Sequence, residues 1–256
     1  MEKNIKIMSF NMRCSTANDG VNNFENRKPK ILAMLKEEAT DIIGFQEITP
    51  EMRDWIIENL TDYYAVGAGR GITYNDEAPL IAFKKLDMQL ISCDTVMLST
   101  TPNVPGSIYE GSDQSRCPRA YARVFLKHRD IEKPFYIYNV HTDHIGELSR
   151  IMASLQMLQD ICSHNAEFLL TGDFNAHPDS KEIMMITDCK SRKIVDATAS
   201  LDGTFHNYGR RDGYAKIDYI FASDGVSVTD ANIVSDAPVN GVFYSDHFAV
   251  TATVEM

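Results

Sequence analysis

Apolar residues along this chain follow two rhythms. Short runs rich in β-branched and aromatic residues recur throughout: IKIMSF (5–10), DIIGF (41–45), LIAF (80–83), YARVFL (121–126), FYIYNV (135–140), EFLL (167–170), KIDYIF (216–221) and HFAVTATVEM (247–256). Each has the length of a strand rather than a helix. The last alternates, with Phe248, Val250, Ala252 and Val254 on one face and Thr251, Thr253 and Glu255 on the other. DIIGF and EFLL are continuously apolar, as strands covered on both faces are.

The second rhythm is helical. Residues 28–39 set Ile31, Leu32 and Leu35 on one face, with Pro29 in the first turn. Thr49-Pro50 reads as an N-cap and first helical position, after which Met52, Trp55, Ile56 and Leu60 share a face. Leu148, Ile151, Leu155, Leu158 and Cys162 form the longest stripe. These stripes, Trp55 included, read as core. Many strands with interspersed helices predict an α/β fold of two sheets packed face to face, with helices outside, in one domain spanning 1–256. No internal repeat or linker divides the chain. The segment 99–120 lacks periodicity and is rich in Pro, Gly and Ser, which marks it as a loop that shapes a substrate pocket.

Composition narrows the class. At 256 residues and 44% hydrophobic, the chain can bury a sizeable core and is not a disordered polypeptide. No apolar run approaches the ~18 residues of a membrane span. The N-terminus, MEKNIKIMSF, reads as a first strand rather than a signal peptide, which favours the cytoplasm; a leader already cleaved from a secreted or periplasmic protein leaves the same beginning. Cys14, Cys93, Cys117, Cys162 and Cys189 are odd in number, widely spaced and without a CxxC pair, so they read as buried free thiols. The formal charge of -11 argues against a non-specific grip on nucleic acid. It leaves room for a metal-bridged phosphate, because a bound cation reverses the local sign.

The chemistry gathers where strands end. Asn11 follows IKIMSF, Glu47 follows DIIGFQ, His141 follows FYIYNV, and Asp173 with Asn175 follows EFLLTG; Asp218 lies in KIDYIF, and Asp246 and His247 open the final strand. Strand ends can converge at one edge of a layered structure. Carboxylates gathered there repel unless a cation sits among them, and all-oxygen ligation suits Mg2+, with Mn2+ as the alternative. Histidines are then left for proton transfer or for holding a phosphoryl oxygen. The set fits metal-assisted hydrolysis of a phosphate ester.

The motifs FNMR (10–13), GFQE (44–47), TGDFNAHP (171–178), KIDYIF (216–221) and YSDHFAV (244–250) resemble those of the endonuclease/exonuclease/phosphatase superfamily, the deoxyribonuclease-I-like fold. The resemblance implies a four-layered α/β sandwich with two mostly antiparallel sheets, a divalent cation and phosphodiester or phosphomonoester hydrolysis. It makes Glu47 the principal metal ligand, with Asn11 and Asp246 near the ion. It makes Asp173 and Asn175 the pair that orients the attacking water and a phosphate oxygen. His247 then lies beside the scissile phosphate with Asp218 orienting it, and His141 is the second histidine with Glu77 as its carboxylate partner. Arg116, in the long loop, corresponds to a phosphate-contacting arginine. Arg13 stands where abasic-site nucleases of the superfamily carry an acid, which weakens a repair-nuclease assignment.

Other readings are weaker. HTDH (141–144) matches half of the HxHxDH pattern of dinuclear zinc hydrolases, but its first histidine would fall at Asn139. Asp143 and His144 are left open between lining the pocket and shaping the loop. No GxSxG is present, which argues against a serine nucleophile. His128 and His164 read as surface turn residues and His177 as structural, while Thr204, Phe205 and His206 precede KIDYIF and could reach the cleft. The favoured substrate is a small or medium phosphate ester. A nuclease acting on DNA or RNA is the alternative, ahead of a catalytically silent binding module.

Overall fold

The computed structural model describes residues 3–210 and 214–256. In chain order the elements are β1 (Asn4–Asn11), α1 (Phe24–Glu38), β2 (Ile42–Ile48), α2 (Pro50–Asn59), β3 (Tyr63–Val66), β4 (Ala78–Lys84), β5 (Met88–Met97), β6 (Ala120–His128), β7 (Phe135–His141), α3 (Glu147–Ser163), β8 (Phe168–Asp173), α4 (Lys181–Thr187), β9 (Ile194–Asp196), β10 (Asp218–Ser223), β11 (Ser227–Val234) and β12 (Ala249–Glu255). They build two six-stranded sheets, ordered β11-β12-β1-β2-β4-β3 and β5-β6-β7-β8-β10-β9. Each sheet contains one parallel pair at its centre, β1–β2 in the first and β7–β8 in the second, flanked by antiparallel neighbours.

Three apolar clusters make this a four-layered sandwich. Ile7, Ile42, Val124, Ile137, Leu169 and Val250 meet between the sheets. Met8, Phe10, Ile43 and Leu80 face the other way and pack with Ile31, Leu35, Met52 and Ile56 of α1 and α2. Tyr138, Leu170, Tyr219 and Phe221 do the same against Ala153, Met157 and Ile161 of α3 and Ile183 and Ile186 of α4. The two-residue repeat of the strands is the cause, since successive side chains leave on opposite faces.

The helices depart from expectation in detail. On α3 the buried face is Ser149, Ala153, Ser154, Met157 and Ile161, whereas Leu148 and Leu155 are exposed. Ala153, Met157 and Ile161 carry that face into the cluster with the second sheet, while Leu148 and Leu155 turn toward solvent. Helix α1 starts at Phe24, capped by the Asn23 side chain, so Pro29 sits inside the helix and not in its first turn. Thr49 does cap α2, accepting from the Met52 N–H. His128 is buried at the end of β6, where Nδ1 accepts from the Asp130 N–H at 3.0 Å, contrary to a surface turn. His164 is half-buried, with its ring 4.4 Å from that of Tyr136. All five cysteines are free, but none is fully buried.

A polar cross-tie joins the sheets beneath the strand ends. Asn139 Nδ2 donates to the carbonyls of Phe45 (2.7 Å) and Leu80 (3.0 Å) across the sandwich. Its Oδ1 accepts from Gln46 Nε2 (2.6 Å) and Thr171 Oγ1 (3.1 Å). Gly44 makes the close approach feasible, because a Cβ there would lie 2.0 Å from Thr171 Oγ1.

Candidate active site

Registry brings the predicted residues together. Asp173, the last residue of β8, is paired with His141 at the end of β7 on one side and with Asp218 at the start of β10 on the other. Residues opposite one another in a sheet share a face, so the three side chains form a row along one edge. Asn11 and Glu47 reach the same edge from the first sheet. β2 departs from regular pairing with β4 between Phe45 and Ile48, and Glu47 there has φ 62°. This irregularity sends Gln46 between the sheets and Glu47 into the cleft, the use to which bulges are commonly put.

Asp246 and His247 precede β12, and Arg27 holds their segment to the end of β1. Its guanidinium is fully buried and donates to the carbonyls of Met12 (2.6 Å), Arg13 (2.8 Å), Asn22 (2.8 Å) and Tyr244 (2.9 Å).

The result is a cavity of about 360 Å3 whose lining includes Arg13, Glu47, Asp173, Asn175, His141, Asp246 and His247. Asn11 lies beneath, donating from Nδ2 to Glu47 Oε1 (3.1 Å) and Asp173 Oδ2 (2.9 Å) while its Oδ1 accepts from the Arg13 N–H. It therefore spaces two carboxylates and presents them its nitrogen, not its oxygen. Glu47 Oε2 accepts from the Cys14 N–H at 2.8 Å. His247 Nδ1 and Asp218 Oδ2 are 2.9 Å apart, and Thr204 Oγ1 donates to the same Asp218 oxygen at 2.6 Å. Asp173 Oδ2 lies 3.6 Å from His141 Nε2 and 3.8 Å from His247 Nε2.

These contacts drive the acid–base groups apart. Burial works to lower His247, but Asp218, then Asp173 and Asp246, outweigh it and push the imidazole up to about 10. His141 goes the other way, held well below its ordinary range by burial and then by the charges of Arg119 and Arg70. Burial, followed by the charge of Asp218, pushes Asp173 up to about 7. Asp246 is raised by burial and, against the pull of His247, by Glu47. Glu47 falls below the usual carboxylate range because the Cys14 N–H and the Asn11 amide outweigh its burial.

Two expected partners lie elsewhere. Glu77 lines the cavity but is ion-paired to Arg70 at 2.7 Å, and His141 Nδ1 has no hydrogen-bond partner among the described residues. Arg116 is exposed and does not line the cavity; Arg119, three residues on, does. Asp143 shapes its loop, accepting the N–H groups of Ser115, Ile145 and Gly146, whereas His144 lines the cleft. Phe205 also lines it, its ring 4.8 Å from that of His247, while His206 is buried against Phe248 and His177 is exposed. Sequence reasoning passed over Arg70 and Arg119. The glycines around Arg70 (67-GAGRG-71) were the available signal for the first, and its place directly before β6 for the second.

Comparisons with known proteins bear on the fold and the family. A solved structure of an endonuclease/exonuclease/phosphatase from Bacteroides vulgatus superposes with a TM-score of 0.91 at 28% identity over 99% of both chains. A mannosyl-6-phosphatase of Bacteroides thetaiotaomicron shares the fold, with a TM-score of 0.87 at 24% identity over 98% of this chain and 99% of that one. An uncharacterised protein of Acanthamoeba polyphaga mimivirus is 25% identical over 279 residues, covering 98% of this chain and 100% of the relative. The sequence matches the endonuclease/exonuclease/phosphatase family model over residues 8–247, a stretch that includes every strand end described above, and the chain belongs to that family.

Proposed function

We propose that this protein is a divalent-metal-dependent hydrolase of phosphate esters. The observation that carries the reading is the row His141–Asp173–Asp218, in which Asp218 backs His247, with His141, Asp173 and His247 facing Glu47 and Asp246 in one cleft.

The donor set suits a hard cation. Glu47 and Asp246 line the cavity together; burial raises Asp246, the pull of His247 is opposed by the charge of Glu47, and Arg13 Nε stands 3.7 Å from it. Two carboxylates left in that state call for a further positive charge, and oxygen ligands favour Mg2+ or Mn2+. Asp173, Asp218 and His247 also offer ligand atoms within 4.8 Å of one another. Asp218 and His247 are already bonded to each other, however, so these three read as proton-handling groups. When bound at Glu47 and Asp246, the cation would neutralise charge on phosphoryl oxygens and acidify a water molecule.

The protein's own groups divide the remaining work. Asp173, poised near neutrality, accepts the proton of the attacking water, and Asn175 orients that water. Asn175 has φ 47°, with its N–H donated to Asp173 Oδ1 at 2.9 Å, which keeps the two side chains in fixed relation. His247 stays protonated through neutral pH and offers Nε2 to the charge that develops on the phosphoryl group or leaving oxygen. His141 is neutral there and serves as a hydrogen-bonding group. Pairs of titratable groups driven apart in this way are how acid and base roles are assigned in one site.

A panel of aryl phosphates, phosphodiesters, nucleotides, inositol phosphates and plasmid DNA, assayed with wild type and Asp173→Asn, tests the proposal. Turnover of an ester by wild type and its loss by ~10^3-fold in the variant is expected. Equal turnover by both proteins overturns the assignment, and cleavage of plasmid alone moves the reading to a nuclease.

A further inference from the structure

The cleft has a cationic part that this scheme leaves unused. Arg70 and Arg119, 7% and 4% exposed, line it together with His144. Each guanidinium is short of partners. Arg70 pairs with Glu77 through Nη2, while its Nε has no hydrogen-bond partner among the described residues. Arg119 Nε stays 3.6 Å from an Asp143 carboxylate that already accepts three backbone N–H groups, and its Nη2 meets His144 Nδ1 at 2.8 Å. Arg119 Nε and Nη1 have no hydrogen-bond partner among the described residues. Buried donors are rarely left in this condition unless a ligand or water completes them. Burial and then the charge of Arg70 depress Arg119, so the fold holds two like charges together.

That arrangement is built in. Arg70 sits in a loop that only glycine can close so tightly. Gly67 has φ 137°, and a Cβ on Gly69 would come within 2.3 Å of the Tyr74 carbonyl. Gly106 packs on Ile72, so that a Cβ there would meet its Cγ1 at 2.4 Å, and this joins the loop of Arg70 to the segment that ends in Arg119. Both cations adjoin the reacting end of the cleft. His141 feels Arg119 and Arg70 as its strongest charges, and a small void is lined by Arg70, Glu47, Glu77 and His141.

We propose that Arg70 and Arg119 form a seat for the non-bridging oxygens of a terminal phosphate, which makes this protein a phosphomonoesterase for small dianionic esters. The proposal rests on the phosphoester-hydrolase reading above. A monoester carries about two negative charges near neutral pH and three non-bridging oxygens. Two guanidinium forks match that group. A diester offers one charge and two such oxygens, and its second ester arm must find a way out past the arginines. A cavity of about 360 Å3 holds a leaving group of modest size.

The test compares p-nitrophenyl phosphate with bis(p-nitrophenyl) phosphate for the Mg2+-loaded wild type, Arg119→Lys and Arg70→Gln, with circular dichroism confirming each fold. Wild type is expected to prefer the monoester by at least about tenfold in kcat/KM. Each variant should lose about 10^2-fold on the monoester and less than about threefold on the diester. A wild-type preference for the diester, or equal losses on both esters, overturns the seat. If neither variant folds, the wild-type preference decides. If neither ester is turned over, the hydrolase reading fails and calorimetry with inorganic phosphate judges the seat separately. About tenfold weaker binding by Arg119→Lys supports it, and unchanged or absent binding by the wild type refutes it.

Discussion

Asp218→Asn separates the charge of the buried dyad from its shape. The lift of His247 from its ordinary 6.5 to about 10 corresponds to about 5 kcal/mol of differential interaction, at about 1.4 kcal/mol per unit. Asp218 leads the groups that supply it, ahead of Asp173 and Asp246, so a loss of about 2–3 kcal/mol is expected. The sign follows from the direction of the shift. A histidine raised in the folded protein stabilises fully below 6.5 and loses that contribution as pH climbs through about 10. The variant, stripped of divalent ions, should therefore melt about 5–10 °C below wild type at pH 6, with the gap closing toward pH 10. The His247 ring protons should titrate at least about one unit lower by NMR, and kcat/KM should fall by about 10^2–10^4-fold. A melting gap that ignores pH between 6 and 10, or a His247 that still titrates near 10, would refute the reasoning.

Other substitutions probe the supports of the site. Thr204→Val removes the hydroxyl that donates to Asp218 and accepts the N–H groups of Ile217 and Asp218; a cost of about 1–3 kcal/mol in urea unfolding and about a tenfold loss of kcat/KM are expected. Arg27→Met leaves four backbone carbonyls without their donor and should lower stability by about 3–5 kcal/mol, read from the denaturant midpoint. Gly44→Ala forces a methyl into Thr171 and Asn139 between the sheets and should cost about 3 kcal/mol or prevent soluble expression; a melting temperature within about 2 °C of wild type would contradict the cross-tie.

The sandwich was legible in its interior and illegible at its margins. The eight strands readable from apolar runs are the eight inner strands of the two sheets; the four that escaped, β3, β5, β9 and β11, are the four edges. An edge strand is paired on one side only and can stay polar. Met88–Met97 is mostly exposed between its two methionines, and Ser227–Val234 has no fully buried residue. They hold strand-favouring residues, as in YYAV of β3 and SVTDANIV of β11, but the runs are too short or too broken by polar residues to stand out. On α3 the leucine spacing points to the wrong face, because the buried one carries Ser149, Ala153 and Ser154 beside Met157 and Ile161, and small residues leave no apolar stripe to read. Within the site, the acids, amides and histidines that follow strong strands could be placed. Local position failed where partners come from loops: Glu77 goes to Arg70, and Arg119 rather than Arg116 turns into the cleft. Those pairings depend on how two irregular segments meet at Gly106 and Ile72, which no spacing along the chain encodes.

The central claim is that the cleft hydrolyses phosphate esters with a divalent cation held at Glu47 and Asp246. Titrating Mg2+ into chelator-treated protein while following phosphate release from an aryl phosphate, for wild type and Glu47→Gln in parallel, tests it most directly. The account predicts no turnover before the ion is added, saturable recovery with it in wild type, and at least about 10^3-fold less activity in Glu47→Gln at the same Mg2+. Undiminished hydrolysis in chelator, or a Glu47→Gln protein that works as well as wild type, would contradict it.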